Sequence, residues 1–309
     1  MSAGCLRSAG EGRVRRMSAG ELRSVGEGRV MSAEGLRSVG EGQMKPISVA
    51  ELRQAVHAEW TKLRTMAGTV RLLLTTVLLT VALGAAAAAF ARCPAGGCHQ
   101  DLPRLALTGI YLGQAVVAVL AVTAVGGEYG TGLIRTTLTA VPRRPLALAA
   151  KAVVLGGVVL AAGSVAVLGS LLAARLILPG HGFTPAHGFA ALSLTDGPTL
   201  RAAIGSVLYL VLIALLGLGV ATAVRDSAAA VAVVLGLLYA LPVLAQLVTD
   251  PHWHRHLEQI EPMAAGLAVQ VTTDSAGLPI GPWAGLGVLA GWAAAALLGG
   301  GLLLQRRDA

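Results

Sequence analysis

Six stretches of apolar residues, most of them bracketed by charged residues, constrain this chain more than any other feature. Each stretch is roughly 20 residues long, the length that an α-helix needs to cross about 30 Å of hydrocarbon at 1.5 Å per residue. None of the six contains a charged residue. The pattern predicts six transmembrane helices, at about residues 72–91, 105–127, 152–174, 202–224, 227–249 and 284–304.

The composition supports the same class of protein. Hydrophobic residues make up 55% of the 309 residues, charged residues only 13%, and the mean hydropathy is +0.71. A soluble domain carries about 25% charged residues, so a soluble globular enzyme is excluded. The sequence therefore predicts an all-α, polytopic membrane protein, with residues 71–307 as its six-helix transmembrane domain.

Lysine and arginine are distributed unequally between the two sides of this predicted bundle. With the N-terminus placed in the cytoplasm, twelve basic residues from position 44 onward lie on the inner side and five on the outer side. Basic residues mark the cytoplasmic side of short loops, so both termini are expected to face the cytoplasm. The net charge of +8 follows from this distribution and from the N-terminal tail, and it does not indicate nucleic-acid binding.

Residues 1–43 form a tail of three near-copies that begin at Met1, Met17 and Met31. Each copy is rich in Ser, Gly, Glu and Arg and lacks the apolar residues that a core needs, so we expect the tail to be disordered. Glutamate is interspersed with arginine in each copy, which favours a duplicated leader without fixed structure over a basic segment bound to anionic lipid. We expect the functional protein to begin near Met44.

Residues 44–70 predict a cytoplasmic interfacial helix before the first span. Ser48 and Glu51 have the spacing of a capping box, which places a helix start there. An apolar face along this helix would lie on the inner leaflet. The residues predicted for that face are Val49, Leu52, Val56, Trp60 and Leu63. The pattern fits a generic membrane anchor and a brace that transmits motion equally well.

The connection between the second and third spans has the pattern of a short amphipathic helix. Gly126 and Gly127 break the preceding helix, Thr131 can cap a new one, and Pro142 ends it. A helix of this kind fits the groove of a partner protein, and an ordinary basic inner loop fits the same residues.

Two motifs in these segments carry a family resemblance. AEWTKLRT at residues 58–65 and EYGTGLIRTTLTAVPRR at residues 128–144 resemble the permease subunit of a type-two ABC exporter, over about residues 44–307. In that family the helix before the first span is the elbow helix, and the loop after the second span contains the coupling helix, which docks onto a separately encoded ATPase. The resemblance implies that this contact is made by Glu128, Tyr129, Gly130, Thr131, Arg135, Thr136, Thr137, Pro142, Arg143 and Arg144.

The resemblance also implies function and partners. The expected function is the export of a hydrophobic or amphipathic substrate across the bacterial cell membrane. The expected partners are cytoplasmic ABC ATPase subunits, a second permease copy or sister permease, and membrane lipid. The chain has no phosphate-binding P-loop, so ATP and Mg are expected in the partner subunit, and we expect neither a cofactor nor enzymatic activity in this chain. The alternative is a non-transport membrane scaffold or an intramembrane enzyme.

Cysteine, histidine and glycine give further signals. Cys93 and Cys98 enclose four residues on the predicted outer side, where a disulfide and two free thiols are equally compatible with the spacing. The alternating residues His252, His254 and His256 favour a solvated outer loop over a metal site. Residues 261–270 resemble the short outer helices that precede the last span in the same family. Two Gly-x-x-x-Gly pairs, 109/113 and 287/291, predict close helix packing.

Overall fold

The structure is a computed structural model that describes the chain in segments. These are residues 49–65, 67–92, 100–130, 144–184, 189, 192–273 and 277–306. The predicted tail, residues 1–43, lies outside them. The regular structure of the described segments is helical and includes no strand, which confirms the predicted all-α fold class.

We number the α-helices of the described residues in chain order. Their bounds are α1 Val49–Thr65, α2 Ala67–Phe90, α3 Leu102–Ala106, α4 Ile110–Gly130, α5 Arg144–Ile177, α6 Gly197–Val224, α7 Ser227–Leu235, α8 Leu241–Gln246, α9 Pro251–Ile260, α10 Pro262–Leu267 and α11 Pro282–Arg306.

Six helical segments are long and apolar enough to cross a membrane, as the sequence predicts. They are Gly68–Phe90, Ile110–Gly127, Pro145–His181, Gly197–Val224, Ser227–Gln246 and Pro282–Arg306. The helices α2, α4, α5, α6 and α11 each supply one span, and α7 with α8 supplies the fifth. This count and these lengths indicate a multi-pass membrane protein.

Contacts between the segments that precede the spans show at which end of the bundle each span begins. Glu59, which precedes α2, contacts Lys151 near the start of α5. Asp101, which precedes α4, contacts Thr272 in the segment that precedes α11. Odd-numbered spans therefore begin at one end, which we call the Glu59 end, and even-numbered spans begin at the other, which we call the Asp101 end.

The third span begins earlier than its hydropathy suggests. The helix α5 starts at Arg144, about two turns before the predicted start at Ala152, and its 34 residues extend over roughly 50 Å. Lys151, which the sequence pattern places at the edge of the span, therefore lies inside the helix. There its ammonium group is paired with the carboxylate of Glu59.

The second and fifth spans are interrupted. Residues 107–109 form turns between α3 and α4, so the predicted span 105–127 starts in α3 and contains this break. In the fifth span a π-helical turn, Gly236–Ala240, comes immediately before Pro242. Proline has no N–H to donate and crowds the carbonyl one turn earlier, and a wider turn relieves both problems.

The helix α6 lies at the centre of the bundle, where it packs against α4, α5 and α11. Its Tyr209, Leu210 and Ile213 side chains are completely buried. The helices α6 and α11 approach closely because Gly219 has no side chain, and a Cβ there would overlap the backbone at Ala296. Small residues thus set the spacing of the helices in the core.

The two predicted Gly-x-x-x-Gly pairs differ in their surroundings. A Cβ at Gly109 would overlap the carbonyl oxygen of Thr80 in α2, and a Cβ at Gly113 would overlap the Thr80 hydroxyl. A Cβ at Gly287 or Gly291 would meet no atom within 4 Å. The first pair therefore packs two spans together within the chain, whereas the second faces outward.

Candidate functional site

The helix α1 is attached chiefly to the third span rather than to the first span that it precedes. Its Ala55 side chain packs in a buried cluster with Leu146 and Ala150 of α5. Two turns later along the same face, Leu63 packs with Ala124 of α4 and Val154 of α5. Apolar contacts at both of these points hold α1 against the start of α5 and the end of α4.

The predicted apolar face of α1 divides into two parts. Leu52 and Val56 are partly buried against α5, and Leu63 is buried. Val49 and Trp60 are exposed, with 83% and 46% of their surface accessible. The packed face is rotated toward Ala55 and Glu59, and Val49 and Trp60 lie outside it.

A buried carboxylate joins α1 to α5. Glu59 is 4% exposed, and its Oε2 accepts a hydrogen bond from the Nζ of Lys151 at 2.6 Å. Its Oε1 accepts a second hydrogen bond from the Nζ of Lys62, one turn further along α1, at 2.7 Å. Both oxygens of the carboxylate are thus satisfied by cationic groups, one from its own helix and one from the third span.

The electrostatic balance at Glu59 favours the ionised form. Burial by itself would raise the pKa of the Glu59 carboxyl, but the charge of Lys151 and the hydrogen bonds from Lys151 and Lys62 outweigh burial and hold the pKa below its usual value. Removing one partner of a buried ion pair leaves the other charge uncompensated, at a cost of about 3–5 kcal/mol. The pair thus adds a charged contact to the apolar packing of α1 on α5.

The residues predicted to contact an ATPase lie between α4 and α5. The prediction that Gly126 and Gly127 break the helix of the second span is wrong, because α4 continues through both to Gly130. Residues 128–130 form its last turn, and Arg144 is the first residue of α5. Thr131, Arg135, Thr136, Thr137, Pro142 and Arg143 lie outside the described residues. Because Ala124 and Leu146 both pack near α1, the two ends of this connection lie at the Glu59 end of the bundle.

At the opposite end, Asp101 joins two segments that are distant in the sequence. Its carboxylate caps α3 by accepting a hydrogen bond from the Arg104 N–H at 3.1 Å. It also accepts hydrogen bonds from the backbone N–H and hydroxyl groups of Thr272 and Thr273, at 2.5 to 3.3 Å. An open cleft of about 530 Å³ lies beside this contact. The segment before α4 and the segment before α11 are thereby held together.

The hydrogen bonds also determine the ionisation of Asp101. Partial burial would raise the pKa of this carboxyl, but the hydrogen bonds from Thr272, Thr273 and the Arg104 N–H lower the pKa below its usual value. A second contact reinforces the same place, since a terminal nitrogen of Arg201 donates to the Val271 carbonyl at 2.6 Å.

The short helix α10 and the turn after it, Ala268–Gln270, pack against the spans. Gly266 lies against the Tyr209 ring, Val269 lies against Gly205, and the Gln270 side chain donates to Ser206 at 3.0 Å. Residues 261–270, which the sequence analysis compares with short outer helices before the last span, form α10 and this turn. The burial of α10 shows that this segment belongs to the packed bundle.

Polar side chains join neighbouring spans in the described part of the bundle. The Tyr209 hydroxyl in α6 donates to Oε1 of Gln114 in α4, and Nε2 of Gln114 approaches the Met263 sulfur at 3.4 Å. The Tyr239 hydroxyl in the fifth span donates to the Tyr111 carbonyl. Gln114 and Tyr209 are both fully buried, so these contacts hold spans together and do not line an open pathway.

Glu261, between α9 and α10, is an isolated buried carboxyl. It is 4% exposed, and its Oε2 has no hydrogen-bond partner. Burial raises the pKa of Glu261 and the nearby Glu258 raises it further, against smaller opposing effects of the Ala264 N–H and His254. This side chain is costly to bury in its ionised form.

The histidines predicted for a solvated loop lie on α9. The rings of His252 and His256 contact edge to face with centroids 4.5 Å apart. The ring of His254 contacts the Ala245 carbonyl at Nδ1 and Glu258 at Nε2. Within the segments that the structure describes, no three His, Cys, Asp or Glu side chains form a group that could hold a metal ion. Cys93 and Cys98 lie outside these segments.

The two carboxylates that make these long-range contacts, Glu59 and Asp101, are not identified as site residues by the sequence pattern. Asp101 is followed by Leu-Pro, and an Asp two residues before a proline is a recognised start of a helix. Glu59 is three residues before Lys62, which predicts a pair within α1 but not the contact with Lys151. The neighbouring residues thus predict the helix cap at Asp101 and the pair of Glu59 with Lys62. They do not predict the distant partners of these two carboxylates.

Comparison with protein-family models gives no match to this chain, and no curated protein matches it. The six apolar helices of membrane-spanning length indicate the class of protein, a helical multi-pass membrane protein.

Proposed function

We propose that this chain is the permease subunit of an ATP-driven exporter in the bacterial cell membrane. It moves a hydrophobic or amphipathic substrate out of the cytoplasm. Separate cytoplasmic ABC ATPase subunits bind ATP and Mg, and a second permease copy or a sister permease completes the transport pathway. The Glu59 end of the bundle faces the cytoplasm in this proposal.

One structural relationship supports the proposal beyond the sequence resemblance. The helix that resembles an elbow helix, α1, packs at the same end of the bundle as the two flanks of the connection that resembles a coupling helix. An ATPase bound to the connection would thus act on the helices α4 and α5 that support α1. The absence of charged residues from the apolar centres of the spans favours a substrate without fixed charge.

The sharpest test is a charge reversal at the proposed contact. The full chain is co-expressed with a P-loop ATPase encoded beside it, and Glu128→Lys is compared with Arg104→Glu, an exposed residue at the Asp101 end. We expect Glu128→Lys to reduce the co-purified ATPase and the ATP-dependent efflux of a lipophilic dye by at least about tenfold, a change of about 1.4 kcal/mol. Arg104→Glu should leave both unchanged. An intact complex with unchanged efflux for Glu128→Lys would overturn the contact.

The orientation is tested independently. In a chain whose three cysteines are replaced by serine, single cysteines are introduced at Thr65 and at Arg104, both of which are exposed. In intact cells a membrane-impermeant maleimide should label Arg104→Cys and not Thr65→Cys. The reverse pattern would contradict a cytoplasmic Glu59 end.

The alternative function is a membrane scaffold or an intramembrane enzyme. Neither function requires a P-loop ATPase. The alternative would be favoured if no such ATPase co-purified with the chain and if dye accumulation did not depend on ATP. An intramembrane enzyme also needs paired catalytic groups at one depth. Among the described residues, hydrogen bonds between spans come from the neutral hydroxyls of Tyr209, Tyr239 and Ser170.

A further inference from the structure

The pairing of Glu59 with Lys151 is unusual because it connects a helix to a span that follows it by two crossings. The two residues are 92 positions apart. A helix that only anchored the first span to the membrane surface would require no charged contact with the third. The extensive packing of α1 on α5 and its limited packing on α2 show that α1 is a structural part of the third span's base.

Apolar packing and the ion pair make different demands on this contact. Ala55, Leu146 and Ala150 are small or flexible apolar residues that tolerate sliding of one helix along another. A buried carboxylate held by two ammonium groups tolerates much less displacement, because its charge is stabilised only while the partners remain in contact. The side chains of Glu59 and Lys151 are 5% and 11% exposed, so water cannot readily replace either partner.

We propose that the Glu59–Lys151 pair is a rigid joint that makes α1 and the first turns of α5 move as one unit. Lys151 lies two turns after Arg144, so a displacement at the start of α5 reaches α1 through this pair, and from α1 it reaches the first span. Glu59 is a positioning residue in this arrangement. The source of the displacement, an ATPase acting on the connection before α5, rests on the proposed function, whereas the joint itself does not.

The joint is tested first without any partner protein. The full chain in lipid nanodiscs is examined by hydrogen–deuterium exchange, with α6 as the internal reference for the folded core. We expect Glu59→Gln and Lys151→Gln to increase exchange in α1 at least about tenfold relative to α6, since each removes one side of the buried ion pair that joins α1 to α5. The charge swap Glu59→Lys/Lys151→Glu should return exchange to within about threefold of the original chain, because it rebuilds the pair.

Lys62→Gln is the matched control. It removes a lysine from the same carboxylate, but the Lys62 side chain is 38% exposed and lies on the same helix, so exchange in α1 should change less than about threefold. The proposed joint would be refuted if exchange in α1 were unchanged in Glu59→Gln. It would also be refuted if α1 exchanged as fast in the charge swap as in the single variants. If the charge swap yields folded protein and neither single variant does, the result supports the joint. If the charge swap does not fold while Lys62→Gln does, the result refutes the joint.

The second arm separates a joint from a merely structural contact. In the complex with its ATPase, Glu59→Gln should retain ATP hydrolysis within about twofold while the dye exported per ATP falls about tenfold, and the swap should restore that ratio. A contact needed only for folding would lower hydrolysis and export together, which would overturn the joint. Absence of any ATPase complex for the unmodified chain would refute the proposed function, and the exchange experiment would still decide on the joint.

Discussion

The carboxylate of Asp101 accepts hydrogen bonds from both the backbone N–H and the hydroxyl of Thr272, 171 residues further along the chain. These bonds bring the segment before the second span and the segment before the sixth span together at one end of the bundle. One side chain thus caps a helix and closes a long-range contact.

Replacing Asp101 with asparagine should destabilise the bundle. Asparagine caps helices about as well as aspartate, but its amide is a weaker acceptor for the four N–H and hydroxyl donors of Thr272 and Thr273. We expect a loss of about 1–2 kcal/mol in the free energy of unfolding, measured by denaturation in detergent. Asp226→Asn is the control because Asp226 caps only its own helix, through the Ala229 N–H, and it should change stability by less than about 0.5 kcal/mol.

The same carboxylate should make the Asp101 end sensitive to acid. Its pKa is lowered in the folded protein, so its stabilising effect is complete above the ordinary aspartate pKa of about 4 and is lost as the pH falls through the lower folded value. We expect hydrogen exchange in residues 100–106 and 271–273 to rise over that acidic range. Asp101→Asn should remove this dependence, and an unchanged acid response in Asp101→Asn would assign the dependence to another group.

The two Gly-x-x-x-Gly pairs should respond oppositely to alanine. Gly109→Ala places a Cβ where the Thr80 carbonyl oxygen lies, so we expect a loss of about 1–3 kcal/mol as the helices shift apart. Gly287→Ala meets no atom within 4 Å and gains helix propensity, so it should be neutral or stabilising by up to about 1 kcal/mol. Thermal unfolding of both variants in the same detergent measures the difference, and equal losses would contradict the outward position of Gly287.

The buried contact between Tyr209 and Gln114 is suited to a double-mutant cycle. Tyr209→Phe leaves the Gln114 amide oxygen without its donor, and Gln114→Leu leaves the Tyr209 hydroxyl without its acceptor. Each should cost about 1–2 kcal/mol, near the upper range for side-chain hydrogen bonds between membrane helices. The double variant should cost about 1 kcal/mol less than the sum of the single variants, and strictly additive losses would exclude a direct interaction.

Neutralising Glu261 should stabilise the protein at neutral pH. Its raised pKa means that the folded state binds a proton that the unfolded state has already lost, so stability falls as the pH rises from the ordinary glutamate value through the folded one. Glu261→Gln should raise the midpoint of thermal unfolding at pH 7.5 more than at pH 4. Asp196→Asn, an exposed carboxylate that also precedes a helix, should show no such difference. Equal shifts at the two pH values would contradict this cost of ionisation.

The all-α class and the number of spans were predictable because each depends on local composition. A run of about 20 apolar residues favours the membrane whatever its neighbours are, and no later contact reverses that preference. The ends of the spans were less predictable. The helix of the third span begins before Lys151, whose charge is compensated by Glu59 of α1, and the second span begins after a break at residues 107–109.

The candidate site was predictable only where a motif is contiguous. The two segments at residues 58–65 and 128–144 carry the family resemblance, and the contacts assigned to the second segment remain predictions. The Glu59–Lys151 pair could not be predicted from the sequence, because the register of α1 on α5 decides which charged side chain of α1 is buried. The sequence gives no reason to choose Glu59 over Glu51 for that position.

The sequence by itself determined a helical membrane protein with six spans, since hydrophobic transfer is additive along the chain and requires no knowledge of distant residues. Only the tertiary structure decided which glycines pack against another helix, which carboxylates are paired, and which span supports α1. Those outcomes depend on contacts between residues distant in the sequence, 92 positions apart for Glu59 and Lys151 and 171 for Asp101 and Thr272, and their energies exist only once the helices have been brought together.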